Sequence, residues 1–397
     1  MESRRPGLGA FGLGIFFVIL PAATAGGAMA LAALQGLAGV LGTPFRHLVP
    51  RGAGGWFFLI ALILFTAFAA VSSYWSLNPD HGQALRLAGG VLCGLLFAAG
   101  SGATEGNRRL VRALGAAAVC VTALLLVGEA YGDMPLNRLA QPHTETGLLM
   151  RNPGRGASVL MALIWPAMAA LAGGTQAQRM GWRAALIATA LVAFQFDQSG
   201  NTVGFAAGLG AYVVGYFAPR FTMLATTLGL AVWLLAAPWV MLHAPIPPAL
   251  MAKLPDSWAV RTEIWHFAST QIATHPLGLG LDAARTFTQT TELRGLHFSL
   301  IPLHPHSASL QIWLELGVAG AVLGAIALLI GGWSLSRTLA HDRLAAAGAC
   351  GAIAAIGVIA NVSYGAWQEW WVATAFAAAA MVAATRHPSD QDEASTD

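Results

Sequence analysis

A histidine that titrates near neutrality can take a proton from a hydroxyl, and arginines hold phosphate through charge-assisted, often paired hydrogen bonds. Both residue types stand here at the mouths of apolar segments. The stretch His304-Pro305-His306-Ser307 opens one such segment. Neighbouring arginines would lower the pKa of His306 and keep it neutral, as a base must be. As a metal pair, His304 and His306 are weak, because no acidic ligand pattern lies beside them. Arg155 follows Asn152-Pro153, where Asn152 can cap a helix and Pro153 suits its first position. A helix start presents free N–H groups and a positive dipole end, so an arginine there makes sense if an anion is bound. Arg151 lies one turn ahead. Arg261 sits on a helix read over 257–274, capped by Asp256 or Ser257 and ended by His275-Pro276. Each also has a plainer reading: an interfacial histidine, an arginine snorkelling to headgroups, a solvated charge on an amphipathic helix.

These residues need a scaffold, and composition says what kind. Of 397 residues, 56% are hydrophobic and 10% charged. Soluble domains carry about 25% charged residues, so a soluble enzyme is excluded. A membrane-spanning helix needs roughly 20 apolar residues. Twelve such segments are read, over 8–26, 27–43, 55–75, 84–102, 109–130, 154–173, 182–197, 200–218, 221–241, 306–332, 344–361 and 366–385. The expected fold is all-α: a polytopic integral membrane protein of about twelve transmembrane helices, one membrane-embedded unit over 1–397. The 46 glycines suit close helix packing in lipid. Continuous apolar runs argue against a β-barrel, whose strands alternate. Arg4 and Arg5 before the first run would also suit a signal peptide. Eleven further segments favour a retained first helix. Cys93, Cys120 and Cys350 all lie inside apolar runs and imply no disulfide framework.

The Lys/Arg bias orients the chain. With the N-terminus inside, Arg4, Arg5, Arg46, Arg51, Arg108, Arg109, Arg112, Arg179, Arg183, Arg220, Arg337, Arg343 and Arg386 are cytoplasmic, thirteen of the 21 Lys and Arg. The short outer loops hold only Arg86. The other seven lie in two longer outer segments, 131–155 and 242–305, the second between helices nine and ten. Long loops are usually functional. The helix over 257–274 presents Trp258, Ile264, Trp265, Ala268 and Ile272 on one mainly apolar face, which suits the membrane surface or the bundle. The acidic tail 387–397 is read as disordered and cytoplasmic. Glu315 would lie about 13 Å deeper than His306 on a regular helix, and on its opposite face. It reads as a structural contact inside the bundle.

His306-Ser307, with Glu315-Leu316-Gly317 downstream, resembles the O-antigen ligase superfamily. So does the preceding stretch, Arg261-Thr262-Glu263-Ile264-Trp265 followed by His275-Pro276-Leu277-Gly278-Leu279-Gly280. That superfamily comprises O-antigen ligases, Wzy-type polymerases and bacterial protein O-oligosaccharyltransferases. The resemblance is specific over about 257–330; elsewhere only hydropathy and loop lengths agree. It implies a twelve-helix enzyme of the bacterial inner membrane, both termini cytoplasmic, with a large periplasmic loop between helices nine and ten and a periplasmic active site. By resemblance, Arg261 matches the family's loop arginine and His306 its base. Arg155 is placed like the other diphosphate-binding arginine, and Arg151 and His304 are further candidates for diphosphate or glycan contact. Many members carry Ser-Arg-Gly at the outer start of span eight, where this chain has Ser199-Gly200-Asn201. Arg151 or Arg155 would then supply that charge.

The resemblance implies an O-antigen ligase that moves a glycan from undecaprenyl diphosphate to a lipid A–core acceptor. The transfer would be metal-independent and inverting, with no cofactor. The outer loops hold no Asp-x-Asp; the one instance, Asp390-Gln391-Asp392, is in the tail. Arginines would neutralise the leaving diphosphate and His306 would take the acceptor proton. The alternatives are a Wzy-type polymerase, a protein O-oligosaccharyltransferase, and, from other classes, a lipid-linked glycan transporter or flippase, or a scaffold. Transporters place ionisable groups near the midplane, whereas Glu315 is the only charged residue read well inside a span. A scaffold would not need converging Arg, Arg and His. No Gly stands eleven residues after Arg138, Arg151, Arg155, Arg261, Arg285 or Arg294, which favours ligase over polymerase. The short tail counts mildly against protein glycosylation. The expected partners are the lipid-linked donor, the lipid A–core acceptor and the bilayer, with no nucleic acid.

Overall fold

The computed structural model describes residues 7–43, 45–50, 52–196, 198–244 and 246–386. The tail read over 387–397 lies outside the described residues, as do Arg4, Arg5 and Arg51. In chain order the helices are α1 (Leu8–Ala25), α2 (Leu31–Gly42), α3 (Ala53–Val71), α4 (Gly82–Gly102), α5 (Glu105–Tyr131), α6 (Pro135–Ala140), α7 (Thr146–Leu149) and α8 (Arg151–Ala172). They continue as α9 (Gln176–Ala193), α10 (Ser199–Phe217), α11 (Pro219–His243), α12 (Pro248–Met251), α13 (Asp256–Thr274), α14 (Ala308–Thr338), α15 (Arg343–Val362) and α16 (Glu369–Thr385). Each of the twelve apolar segments read from the sequence is a helix, since only helices satisfy every backbone group of such a run in lipid. Among the described residues, eight helices are long and apolar enough to cross a membrane; α2 and α16 are shorter apolar helices.

The bundle is built around α8. Its residues from Ser158 to Ala169 are buried on all sides, and α1, α5, α9, α10, α15 and α16 pack around it. Trp165 fills the centre, fully buried, with Phe205 and Tyr212 beside it. Glycine- and alanine-rich α15 lies close against both α8 and α10. Small side chains allow that approach, which supplies the van der Waals contact that holds helices together in lipid.

Segment 242–305 folds onto one end of the bundle. Its main helix, α13, packs against α11 and α14, burying Ile264, Trp265, Ala268 and Ile272. Of the two placements the sequence allowed, the bundle is therefore the observed one. Pro255, not Asp256 or Ser257, is the residue before its first turn, and Asp256 instead supplies the acidic group of that turn. A hairpin that the sequence reading did not anticipate follows, β1 (Thr290–Leu293) paired antiparallel with β2 (Leu296–Ser299). Its turn, Arg294-Gly295, has positive φ at both residues, which matches the right-handed twist of a two-stranded ribbon. Arg294 ties the turn to α13 through Asp256 Oδ1 at 2.8 Å.

The most informative irregularity is in α14. Gly317 has φ 63° and ψ −161° inside the helix, a conformation open essentially to glycine alone. The break frees the carbonyls of Leu314 and Glu315. The loop after α13 fills the gap: Leu279 N donates to Leu314 O at 2.9 Å and Gly280 N to Glu315 O at 2.8 Å. Val318 N in turn donates to Pro276 O at 2.9 Å. Gly278 (φ 82°) lies so close to Gly317 that a Cβ at either would strike the other's backbone or its neighbour's. Thus His-Pro-Leu-Gly-Leu-Gly and Glu-Leu-Gly, far apart in sequence, are two halves of one backbone joint.

Candidate active site

The joint fixes Glu315, and Glu315 fixes the surrounding loops. Its carboxylate is fully buried. It accepts from Asp282 N at 2.7 Å, Gln311 Nε2 at 2.9 Å and Trp367 Nε1 at 2.6 Å. A buried carboxylate is costly unless its lone pairs are filled, and these donors fill them. One side chain therefore joins α14, the turn after Gly280 and the turn before α16. The sequence reading of Glu315 as a structural contact agrees with these partners.

His306 precedes α14 rather than lying inside it. Its φ is 53°, a left-handed conformation for which histidine is enriched among non-glycine residues. Ser307 then starts the helix with its hydroxyl accepting from Leu310 N. His306 Nδ1 stands 2.9 Å from the Ser363 carbonyl oxygen. A carbonyl only accepts, so Nδ1 carries the proton and Nε2 keeps its lone pair. Burial, and secondarily the charge of Arg261, holds the imidazole below its ordinary value of 6.5, with the Ser363 bond acting the other way. His306 is thus neutral at pH 7.

His304 stacks edge-on against His306, ring centroids 4.7 Å apart. Its Nδ1 accepts the His306 backbone N–H at 3.1 Å. The proton of neutral His304 must then sit on Nε2, 2.9 Å from the Gln368 amide. The structure sets Gln368 Nε2 against it and leaves Oε1 without a partner among the described residues; turning the amide end for end gives the His304 proton an acceptor. Burial, then His306 and Arg285, pushes the His304 pKa well below the ordinary value.

Arg261 is only 9% exposed, so it is not a solvated charge on an amphipathic helix. It lies on the buried face of α13, its guanidinium 5.7 Å from the Trp258 ring. One of its terminal nitrogens, Nη1, is buried with no hydrogen-bond partner among the described residues. A buried guanidinium with an open donor is a seat for an anion. Beside it opens an apolar cavity of about 390 Å³ between α11, α13, α14 and α15, lined by Trp233, Trp258, Trp265, Leu310 and Val362 among others.

Arg155 is half-buried and faces a second, polar cavity of about 450 Å³, which it shares with Arg86, Asp282, Arg285, His304, Gln368 and Glu369. It lies one turn inside α8, because α7 runs directly into α8: Met150 N donates to Thr146 O and Gly154 N to Met150 O. Asn152 therefore caps nothing; its amide donates to Asn137 at 3.2 Å. The helix start expected at Asn152 is not an open anion seat. Arg151, the first residue of α8, is exposed and is not among the residues lining this cavity.

Tyr364 links the two arginines. It is buried, its hydroxyl 2.8 Å from Ser158 Oγ, and the charges of Arg155 and Arg261 both act on it. Burial pushes its pKa up to about 12, so it stays a neutral hydroxyl. Asn201 is buried and takes the Ser158 hydroxyl at 2.6 Å. Its place in the fold is that of a support for Ser158 and Tyr364. The structure thus gathers His306, His304, Arg261 and Arg155 around Tyr364 and sets Arg151 apart. Sequence reasoning missed Tyr364, Gln368, Arg86 and Arg285 as neighbours of the site. Only Arg86 left a signal, as the one basic residue of the short outer loops.

Residues 184–325, which hold Arg261, His304, His306 and the whole backbone joint, match the family model described as O-antigen ligase. Over these residues the chain is similar to the O-antigen ligase family. A Rickettsia felis protein provisionally named polysaccharide ligase is 24% identical over 323 residues, 79% of this chain and 76% of its own. A likewise named Rickettsia bellii protein is 33% identical over 124 residues, 30% of each chain. A Rickettsia conorii relative is 32% identical over 123 residues, 29% of its length. The chain therefore spans under a third of the latter two. The match starts at Ala184 and excludes Arg155.

Proposed function

We propose that this protein is an O-antigen ligase, transferring a glycan from undecaprenyl diphosphate to a lipid A–core acceptor at the outer mouth of a twelve-span bundle in the inner membrane. One observation carries the reading: a neutral imidazole with Nε2 free, fixed by a backbone carbonyl, beside a buried arginine with an unused donor. A base and a cation so placed suit a hydroxyl attacking a centre whose leaving group is anionic.

The polyprenyl chain would enter the apolar cavity next to Arg261. The diphosphate would lie across Tyr364, held by Arg261 on one side and Arg155 on the other. The acceptor hydroxyl gives its proton to His306 Nε2. Its oxygen forms the new bond to the anomeric carbon while the bond from that carbon to the phosphate oxygen breaks. The electron pair leaves on the diphosphate, where the arginines neutralise it. One such displacement inverts the anomeric centre. The Arg/Lys bias supports an outward-facing site, with both termini cytoplasmic.

The test is a strain lacking the gene, with its lipopolysaccharide and its undecaprenyl-linked glycans compared side by side. Rough lipopolysaccharide with long chains left on the lipid carrier is the expected result. A core capped by a single repeat, with no long lipid-linked chains, would make the enzyme a polymerase. Two normal pools would overturn the reading.

A further inference from the structure

The polar cavity beside His304 has no role in the proton transfer just described, and its lining is unusual for a charged pocket. Its cations are largely neutralised by its own walls. Arg86 Nε is 3.2 Å from Glu369 Oε1, and Arg285 Nε is 2.8 Å from Asp282 Oδ1. Asp282 is itself buried and held by Asn78 at 3.0 Å. A second polyanion would therefore find little net attraction beyond Arg155. What the walls offer instead is mixed: carboxylate oxygens that only accept, guanidinium groups that only donate, and the Gln368 amide, one end of which has no partner among the described residues. Trp367 and Trp370 are also among the lining residues.

That combination fits one ligand chemistry. A sugar ring has a face of C–H bonds that lies on an indole and a girdle of neighbouring hydroxyls, each both donor and acceptor. Arg–carboxylate pairs present both roles side by side, at the spacing of adjacent hydroxyls. We infer that this cavity is a sugar-binding subsite, and that the Arg86–Glu369 pair at its rim selects the sugar. The inference rests on the glycosyl-transfer reading, which needs a sugar within reach of His306, and His304 connects the cavity to that ring. The sugar belongs either to the acceptor or to the end of the donor glycan, and kinetics separate the two.

The experiment uses purified full-length protein in detergent, with Glu369→Gln and Arg86→Gln. Both side chains are close to half exposed, so the variants fold, which equal melting temperatures confirm. The probes are the lipid-linked glycan and the lipid A–core extracted from the deletion strain. We expect KM for one of them to rise at least tenfold with kcat within threefold and the other KM unchanged. A rise for lipid A–core assigns the cavity to the acceptor; a rise for the lipid-linked glycan assigns it to the donor. Unchanged KM for both overturns the inference. In parallel, the core oligosaccharide and the glycan, each freed from lipid by mild acid, are titrated while tryptophan fluorescence is followed. Saturable binding weakened tenfold by Glu369→Gln upholds the subsite even if transfer itself is not seen. Absence of saturable binding for both overturns it, whatever the outcome for transfer.

Discussion

Replacing His306 by alanine removes the candidate base whose tautomer the Ser363 carbonyl fixes, so transfer should fall by about 100-fold or more. Membrane insertion and melting temperature should stay near wild type, and retained activity would dismiss the base. The pH profile follows from the direction of the shift. Burial favours the neutral imidazole, so the base form persists from neutral pH down through the ordinary value of 6.5. The rate should be flat through neutrality and decline only below that value, and Arg261→Gln, by removing a nearby positive charge, should move the decline upward. A profile that already falls between pH 8 and 7 would contradict the assignment. Arg261→Lys keeps the charge and loses the planar fork, so activity should drop about tenfold or more if both phosphate oxygens are gripped. Full activity would reduce Arg261 to a point charge.

At the level of elements, the helices were legible in the sequence because lipid leaves an apolar run little choice but to be helical. His306 and Arg261 could be picked out as candidates because their motifs sit in one short stretch. What joins them was not. Glu315 binds groups 33 and 52 residues away, and the Ser363 carbonyl that sets the His306 tautomer is 57 residues away. Spacing along a chain carries no trace of such partners. The hairpin was missed because four-residue strands in a polar loop have too little alternation to detect. The helix break was missed because glycine is common throughout this chain and nothing local distinguishes Gly317. Gly317→Ala tests the joint directly: strain of about 1–3 kcal/mol at that φ and ψ, plus the clash with the Leu277 and Gly278 backbone, should lower the melting temperature in detergent by several degrees. Glu315→Gln keeps most hydrogen-bonding capacity and should retain more stability than Glu315→Ala, which strands four donors.

For the whole molecule, orientation is the property on which the reading depends, since the donor and acceptor must be on the same side as His306. Single cysteines at Arg294 and at Arg179, in a background lacking Cys93, Cys120 and Cys350, should label oppositely with a membrane-impermeant maleimide. Position 294 should react in cells whose outer membrane alone is permeable, and position 179 only after lysis; the reverse pattern would place the site in the cytoplasm. The turn between α15 and α16 gives this architecture a schedule. It supplies the carbonyl for His306, the indole for Glu315, the amide for His304 and the carboxylate for Arg86. All four come from residues 363–369, which follow both arginines and both histidines in the chain. A chain folded only through α15 already holds both arginines and both histidines, yet lacks the partners that fix His306 and His304. The two histidines thus acquire the bonds that set their tautomers only once this turn has formed.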